Sequence, residues 1–138
     1  MTDPRPFTLA FEVRDYECDL QGIVNNAVYL QYLEHARHQF IRTRGFSFAE
    51  LTKRGIHLVV VRTEIDYKAP LRSGDAFEVE VALERLSPVR FGFFQEIHRA
   101  PDRRLIVKAK VVCAAMDLDG RPMLLKKIEP LLEACARQ

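Results

Sequence analysis

A short acidic segment, residues 15–26, carries the residue types in this chain that could do chemistry. It contains three carboxylates, Asp15, Glu17 and Asp19, and the turn residue Gly22, and it leads directly into a helical pattern. The first N–H groups of a helix have no internal partner and lie at the positive end of its dipole, so they can stabilise a carbonyl oxygen that becomes negative. A nearby carboxylate can attack that carbonyl or take a proton from an attacking water. The segment therefore has both parts that acyl transfer needs.

Two features of this segment leave its chemistry open. Acidic residues ahead of a helix are also common as ordinary caps of a strand-to-helix connection. In an extended chain Asp15, Glu17 and Asp19 would face the same side and repel one another, because side chains at i, i+2 and i+4 share one face of a strand. A loop or bulge would separate them, whereas close spacing would raise the pKa of at least one of them.

The helix that follows is predicted to begin at about residue 26 and to bury one face. Asn25 or Asn26 can cap its start, and Gly45 suits the position just past its end. Ser47 and Glu50 have the spacing of a capping box, which predicts a second, short helix. Apolar residues at helical spacing predict the buried stripe of the long helix: Tyr29, Tyr32, Leu33, Ala36, Phe40 and Ile41.

The rest of the chain has the patterns of β-strands joined by short turns. The continuous apolar run 58–61 predicts a strand covered on both faces. The pair Asp119-Gly120 predicts a hairpin, and Pro130 can open a short terminal helix. Successive strands with short connections are antiparallel, so we expect an α+β domain over residues 1–138 with an antiparallel sheet wrapped around one long helix. Strands are predicted at residues 7–13, 57–67, 77–84, 89–99, 105–116 and 123–125.

Two landmarks in the chain carry a resemblance to a known family. Residues 17–24 read Glu-Cys-Asp-Leu-Gln-Gly-Ile-Val, and the helix that follows contains Glu-His-Ala-Arg at residues 34–37. Residues 65–75 then read Ile-Asp-Tyr-Lys-Ala-Pro-Leu-Arg-Ser-Gly-Asp. Both landmarks at this separation resemble the 4-hydroxybenzoyl-CoA thioesterase branch of the hotdog superfamily, and the resemblance covers nearly the whole chain.

The resemblance implies a function and a set of site residues. It implies hydrolysis of an acyl-CoA thioester to a free acid and CoA, without a cofactor or metal, at a site formed where two subunits meet. Asp19 matches the catalytic carboxylate, as nucleophile or general base, and the backbone N–H of Asn26 matches the group that polarises the thioester carbonyl. The neighbouring residues expected to contact the substrate are Gly22, Val24, Asn25 and Tyr29.

Cationic groups are needed near the mouth of such a site, because coenzyme A carries phosphates. The candidates near strand ends are Arg62, Lys68, Arg72, Arg85 and Arg90. We assign Arg62 and Arg90 to that role, and His57 is our candidate for lining the acyl pocket. Some members of the family have a basic cluster in the turn that corresponds to residues 86–89. Those four residues are Leu-Ser-Pro-Val here, so the nucleotide contacts of this chain are expected to differ.

Other chemistries fit the sequence less well. A hotdog hydratase or dehydratase needs a histidine paired with a carboxylate, and no histidine precedes residue 35. Glu34 and His38 share a helix face but have no evident third metal ligand. Cys18 lies between two acidic residues, which disfavour a reactive thiolate. A non-catalytic acyl-CoA binding module is the remaining alternative, since it would need the pocket but no carboxylate at residue 19.

Composition excludes several classes of partner. The 138 residues include 21 basic and 19 acidic side chains with no long basic block, so nothing indicates nucleic acid. No apolar run reaches the ~18 residues of a membrane span. Three widely spaced cysteines favour neither disulfides nor zinc, so a reducing cytoplasm is the expected location. The resemblance further implies a homodimer or a homotetramer.

Overall fold

The structure, a computed structural model, describes residues 6–136, and its longest helix is the predicted one. This helix, α1, spans Asn26–Thr43 and begins after the cap residue Asn25. All six residues predicted for its stripe are buried, together with Arg37. A short second helix, α2, spans Phe48–Lys53, and the Ser47 hydroxyl caps it by accepting the Glu50 N–H at 3.0 Å.

Six antiparallel strands form one sheet. The bounds are β1 Phe7–Glu12, β2 His57–Tyr67, β3 Ala76–Arg85, β4 Phe91–Ala100, β5 Leu105–Met116 and β6 Pro122–Met123. The spatial order is β1-β3-β4-β5-β2, and β6 pairs with the end of β5. The predicted fourth strand was placed to begin two residues early, because residues 86–90 form a turn in which the Leu86 N–H reaches the Arg90 carbonyl.

The sheet packs its apolar face on α1. Along β3, buried Phe77, Val79, Val81 and Leu83 alternate with less buried residues, as the period of two predicted. Aromatic rings join the layers, with Tyr32 against Phe77 at 4.7 Å between ring centroids. The predicted α+β fold, an antiparallel sheet wrapped around one long helix in the hotdog arrangement, is therefore confirmed.

The prediction that residues 58–61 are covered on both faces is wrong for the protomer. Val60 is 49% exposed and Val61 is 38% exposed. The reason is topological: β2 is the last strand of the sheet, so its side chains have neighbouring strand residues only on the β5 side, and a register shift between Val60 and Arg62 interrupts its alternation. The β2 edge is therefore open; it is apolar at residues 58–61 and carries exposed charged side chains from Arg62 onward.

The C-terminal segment packs against the far end of the sheet. A 3₁₀ helix spans Leu125–Ile128 and the helix α3 spans Glu129–Cys135, with Pro130 in its first turn as predicted. The Leu125 N–H donates to the Pro88 carbonyl at 2.9 Å, which attaches this segment to the β3–β4 turn. Within residues 6–136, no helix is both long and apolar enough to cross a membrane.

Candidate active site

The acidic segment folds as a tight hairpin just ahead of α1. Residues Asp15–Glu17 form one turn of 3₁₀ helix, and Cys18 then pairs with Val24 in an antiparallel bridge. Inside that bridge the Asp19 N–H donates to the Ile23 carbonyl at 2.9 Å. Gly22 turns the chain with a φ of +79°, a left-handed conformation that favours glycine. The hairpin therefore holds Asp19 close to the start of the helix.

Glu17 fixes this hairpin to the core. It is only 6% exposed, and its carboxylate accepts the Tyr32 hydroxyl at 2.8 Å and the Arg14 backbone N–H at 2.8 Å. The Arg14 guanidinium forms an ion pair with the same carboxylate at 3.0 Å. Burial alone would raise the pKa of Glu17, but these hydrogen bonds and the Arg14 charge outweigh burial, so its pKa lies below the usual range.

The three carboxylates do not share one face. Asp15 accepts a hydrogen bond from the Ser73 hydroxyl, Glu17 points into the core, and Asp19 lies in the exposed hairpin. The loop therefore separates the like charges that an extended chain would have brought together, and each carboxylate has its own partners.

Replacing Glu17 tests its structural role. We expect Glu17→Gln to lower the free energy of unfolding by about 2 kcal/mol at pH 7. The amide oxygen can still accept the Tyr32 and Arg14 hydrogen bonds, but it accepts them without the charge, and the ion pair with the Arg14 guanidinium is lost. The folded-state pKa of Glu17 is depressed, so the charge stabilises the fold above the unfolded-state value of about 4.3. That stabilisation disappears as the pH falls through the folded-state pKa.

Urea unfolding at pH 7 and at pH 3 measures both effects. The difference in the free energy of unfolding between wild type and Glu17→Gln should be smaller at pH 3 than at pH 7. The control Glu50→Gln, at an exposed position, should have the wild-type free energy of unfolding at both pH values. A difference that is unchanged between the two pH values would contradict the assignment of a stabilising charge to Glu17.

Asp19 presents one carboxylate oxygen that no other residue in the described part of the chain contacts by a hydrogen bond. Its Oδ1 accepts the Gln21 N–H at 2.8 Å and lies 3.5 Å from the Ile23 nitrogen. Its Oδ2 has no hydrogen-bond partner among residues 6–136. The side chain is therefore oriented through one oxygen while the other faces solvent, where it could meet a water or a carbonyl carbon.

The start of α1 leaves one backbone donor unpaired. The Asn25 side chain accepts the Ala27 N–H at 3.0 Å, and the Asn25 carbonyl accepts the Val28 N–H at 2.9 Å. The Asn26 N–H has no acceptor within the described part of the chain. It is thus the first-turn amide free to bind a ligand oxygen, at the positive end of an 18-residue helix.

Buried residues below the hairpin hold it in place. Val24 is 2% exposed, and its N–H donates to the Leu71 carbonyl at 2.9 Å. Tyr29 is 3% exposed and its hydroxyl accepts the Leu71 N–H at 3.1 Å. In the protomer both side chains lie inside the core and attach the hairpin to Leu71, and their contact with substrate stays a prediction.

The structure brings together some of the predicted site residues and separates others. Asp19, Gly22, Val24, Asn25, Asn26 and Tyr29 gather around the start of α1, as just described. His57 begins β2, and Arg90 ends the β3–β4 turn, both at the opposite end of the sheet. Arg62 lies exposed in the middle of β2 and pairs with Glu64 at 2.8 Å. One protomer alone therefore does not join these three residues to Asp19.

Sequence reasoning missed how the site is anchored. It weighed Glu17 only as one of three acidic residues and gave no role to Leu71. The role of Glu17 could have been inferred, because Tyr32 falls on the predicted buried stripe and a buried tyrosine hydroxyl needs a hydrogen-bond partner. No local pattern predicted that the two backbone groups of Leu71 would hold Val24 and Tyr29.

One group of donor atoms in the described range could hold a metal ion, away from this site. It comprises Glu80, Glu96 and His98, whose ligand atoms lie within 4.8 Å of one another. His98 Nε2 is 3.2 Å from Glu96, and Arg103 is 3.7 Å from Glu80. These side chains already form a network of polar pairs on the face of the sheet opposite α1.

Comparison with known families identifies the chain. Residues 13–137 match the model of the thioesterase-like superfamily, which includes the hairpin, the helix and the whole of β2 to β6. The chain belongs to the thioesterase-like superfamily.

Two relatives within the thioesterase-like superfamily are named for different thioesters. The chain is 39% identical to the acyl-acyl carrier protein thioesterase ATL2 of Arabidopsis thaliana chloroplasts, over 83% of this chain and 61% of that one. The chain thus spans about three-fifths of that relative's length. It is 31% identical to the long-chain acyl-CoA thioesterase FadM of Escherichia coli, over 82% of this chain and 85% of FadM.

A solved structure supports the fold of this thioesterase-like chain. Slr0204, a 1,4-dihydroxy-2-naphthoyl-CoA thioesterase from Synechocystis, superposes with a TM-score of 0.87 over 95% of this chain and 96% of Slr0204. Its sequence identity is 24%, so this likeness concerns the fold.

Proposed function

We propose that this protein hydrolyses acyl thioesters, with Asp19 as the working carboxylate and the Asn26 N–H as the donor to the carbonyl oxygen. The proposal rests on two groups near the start of α1 that have no hydrogen-bond partner within residues 6–136. They are one carboxylate oxygen of Asp19 and the backbone N–H of Asn26. Membership of the thioesterase-like superfamily supports the same reaction.

The reaction follows from these two groups. The Asn26 N–H stabilises the negative charge that develops on the thioester oxygen as the carbonyl carbon is attacked. Asp19 either takes a proton from the attacking water or attacks first and forms an anhydride that water then opens. In the first route the water C–O bond forms, the C–S bond breaks, and Asp19 passes the water's proton to the departing sulfur. In the second route the Asp19 C–O bond forms as the thiolate leaves and takes a proton from solvent; water then adds to the anhydride, whose bond to Asp19 breaks and restores the carboxylate. No step requires a cofactor or a metal.

Two thioester classes are candidate substrates. We propose acyl-CoA first, as the sequence resemblance implied and as the name of FadM supports. Acyl groups on a carrier protein are the second candidate, because ATL2 is named for that substrate and has the higher identity of these two relatives. Both substrates present the same thioester on a phosphopantetheine arm, so the chemistry at Asp19 is common to them.

The site is proposed to be completed by a second copy of the chain. The β2 edge is open and carries exposed Val60 and Val61, a combination that favours pairing with another strand. Tyr67, at one end of β2, lies 5.6 Å from Tyr29 between ring centroids, and His57 is at the other end. Antiparallel pairing of two β2 strands would therefore bring His57 beside the partner's helix start.

A small cavity lies beside this proposed interface. Its volume is about 180 Å³, and Phe48, Leu58, Val60 and Phe93 supply its apolar wall. Leu58 and Val60 belong to β2, so the cavity adjoins the edge where the partner would pair. We propose that it receives part of the acyl group bound at the partner's helix start.

Lysines on β2 test the assembly. We expect the double substitution Val60→Lys and Val61→Lys to yield a monomer with little thioesterase activity, since charge on an edge strand opposes strand pairing. The matched control places lysines on the other edge strand, at exposed Thr8 and Ala10 of β1. Light scattering after size exclusion measures the mass; an unchanged dimer in the β2 variant would refute this interface.

Thiol release tests the proposed function directly. Wild-type protein is incubated with short, long and aromatic acyl-CoA esters and with acyl-carrier protein, and free thiol is followed with a chromogenic thiol reagent. Release from at least one ester is expected. Binding without release from any ester, with the protein folded, would favour a non-catalytic binding module, and exchange of an α-proton without release would favour a hydratase-type reaction.

A further inference from the structure

We propose that one end of the sheet is the docking surface for an acidic acyl carrier protein. This end surface consists of Leu86 and Arg90 from the β3–β4 turn and Leu124, Lys126 and Lys127 from the C-terminal segment. The inference rests on the proposed thioester hydrolysis and on its second candidate substrate, and it goes further by naming the residues that would bind the carrier.

Two distant segments build this surface and hold it rigidly. The Leu125 N–H donates to the Pro88 carbonyl at 2.9 Å, and the Leu125 side chain is only 1% exposed. Ile128, 3% exposed, anchors the other end of the 3₁₀ helix. Because both anchors are buried, Lys126 and Lys127 between them are held beside the turn that contains Arg90.

The end surface has one sign of charge. Residues 86–90 and 122–128 contain three cationic side chains and no acidic one. Arg90, Lys126 and Lys127 have no carboxylate within ion-pair distance anywhere in residues 6–136. Two neighbouring acidic residues have partners of their own: Glu129 is paired with Arg85, and the Asp117 carboxylate accepts the Asp119 and Arg121 N–H groups of its own turn. The surface therefore attracts an acidic partner.

Exposed leucines in the end surface favour a protein over a free nucleotide. Leu86 is 40% exposed, and Leu124 is 45% exposed. A phosphate or nucleotide would use the three cations but leave this apolar area in water. A carrier protein that presents carboxylates around an apolar surface would cover both, as interfaces with an apolar centre and a polar rim do.

The end surface is within reach of a catalytic centre only in the proposed dimer. In its own protomer the end surface and the hairpin lie at opposite ends of β3. This strand has ten residues and is therefore roughly 30 Å long. His57 lies at the same end of the sheet as the end surface. It pairs with Met116 at the end of β5, and Cys113 of the same strand pairs with Phe91, next to Arg90. Antiparallel β2 pairing brings the partner's helix start to that end, so a carrier docked on one protomer would deliver its arm to the other.

Charge reversal tests the docking surface. The variant Lys126→Glu with Lys127→Glu is compared with Arg104→Glu with Lys108→Glu, which changes the charge equally at exposed positions elsewhere. The same acyl group is presented on purified acyl carrier protein, on CoA and on pantetheine. We expect the first variant to lose about tenfold or more in kcat/KM for the carrier substrate, since two attractive charges become repulsive. Hydrolysis of acyl-CoA and acyl-pantetheine should change less than about twofold, and the control variant should match wild type on all three.

Other outcomes overturn the inference. Equal losses on the carrier protein and on CoA would assign the lysines to phosphate binding. An unchanged kcat/KM on all three substrates would show that the surface has no role in substrate recognition. Binding of phosphatidylglycerol vesicles that the first variant abolishes, without any change for the carrier substrate, would assign the surface to a membrane. Failure of the proposed function is distinguishable, because wild type would then release no thiol even from acyl-pantetheine.

Discussion

Asp19→Asn is expected to lose roughly 10²- to 10⁴-fold in kcat while keeping its fold and its substrate affinity. The amide can neither attack a thioester effectively nor take a proton from water. Its oxygen can still accept the Gln21 N–H that now orients the side chain at 2.8 Å, so the hairpin should persist. Steady-state thiol release, together with thermal unfolding and substrate binding, measures all three properties.

The matched control for this variant is Asp15→Asn. Asp15 lies four residues away in the same loop, and an asparagine there can still accept the Ser73 hydroxyl. Turnover of the control should remain within about twofold of wild type, as for other exposed polar changes. Retained turnover in Asp19→Asn would show that another residue does the chemistry. Equal losses in both variants would show that turnover depends on the loop as a whole and not on Asp19 specifically.

Asn26→Pro is expected to lose roughly 10²- to 10³-fold in kcat, because it deletes the one unpaired N–H at the start of α1. Proline is well tolerated at the first position of a helix. It also requires an extended conformation in the preceding residue, and Asn25 already has φ −66° and ψ 141°. The loss should therefore arise from the missing donor and not from a broken helix.

Asn26→Ala separates the backbone from the side chain. It keeps the N–H and removes the amide side chain, so its kcat should stay close to that of wild type. Circular dichroism and the unfolding midpoint of both variants verify that α1 is intact. A folded Asn26→Pro protein with wild-type turnover would show that the oxyanion is stabilised elsewhere.

Local patterns in the sequence determined the elements of this protein. The stripe from Tyr29 to Ile41 predicted α1 because a helix that packs on a sheet needs one apolar face, and all six residues are buried. The alternation along β3 predicted a strand with one buried face, and the turn glycine and carboxylates of residues 15–26 indicated a loop that leads into a helix. These predictions succeeded because each depends on residues only a few positions apart.

Tertiary structure alone decided which distant groups meet. The order of strands left β2 at an open edge, so the run 58–61 that reads as a core strand is exposed in the protomer. The burial of Glu17 against Tyr32 and the attachment of Leu125 to Pro88 join residues 15 and 37 positions apart. Periodicity describes the faces of single elements and carries no information on which elements become neighbours. The sequence therefore determined the helix, the strands and the candidate residues Asp19 and Asn26, whereas packing decided the anchoring of the hairpin and the assembly of the end surface.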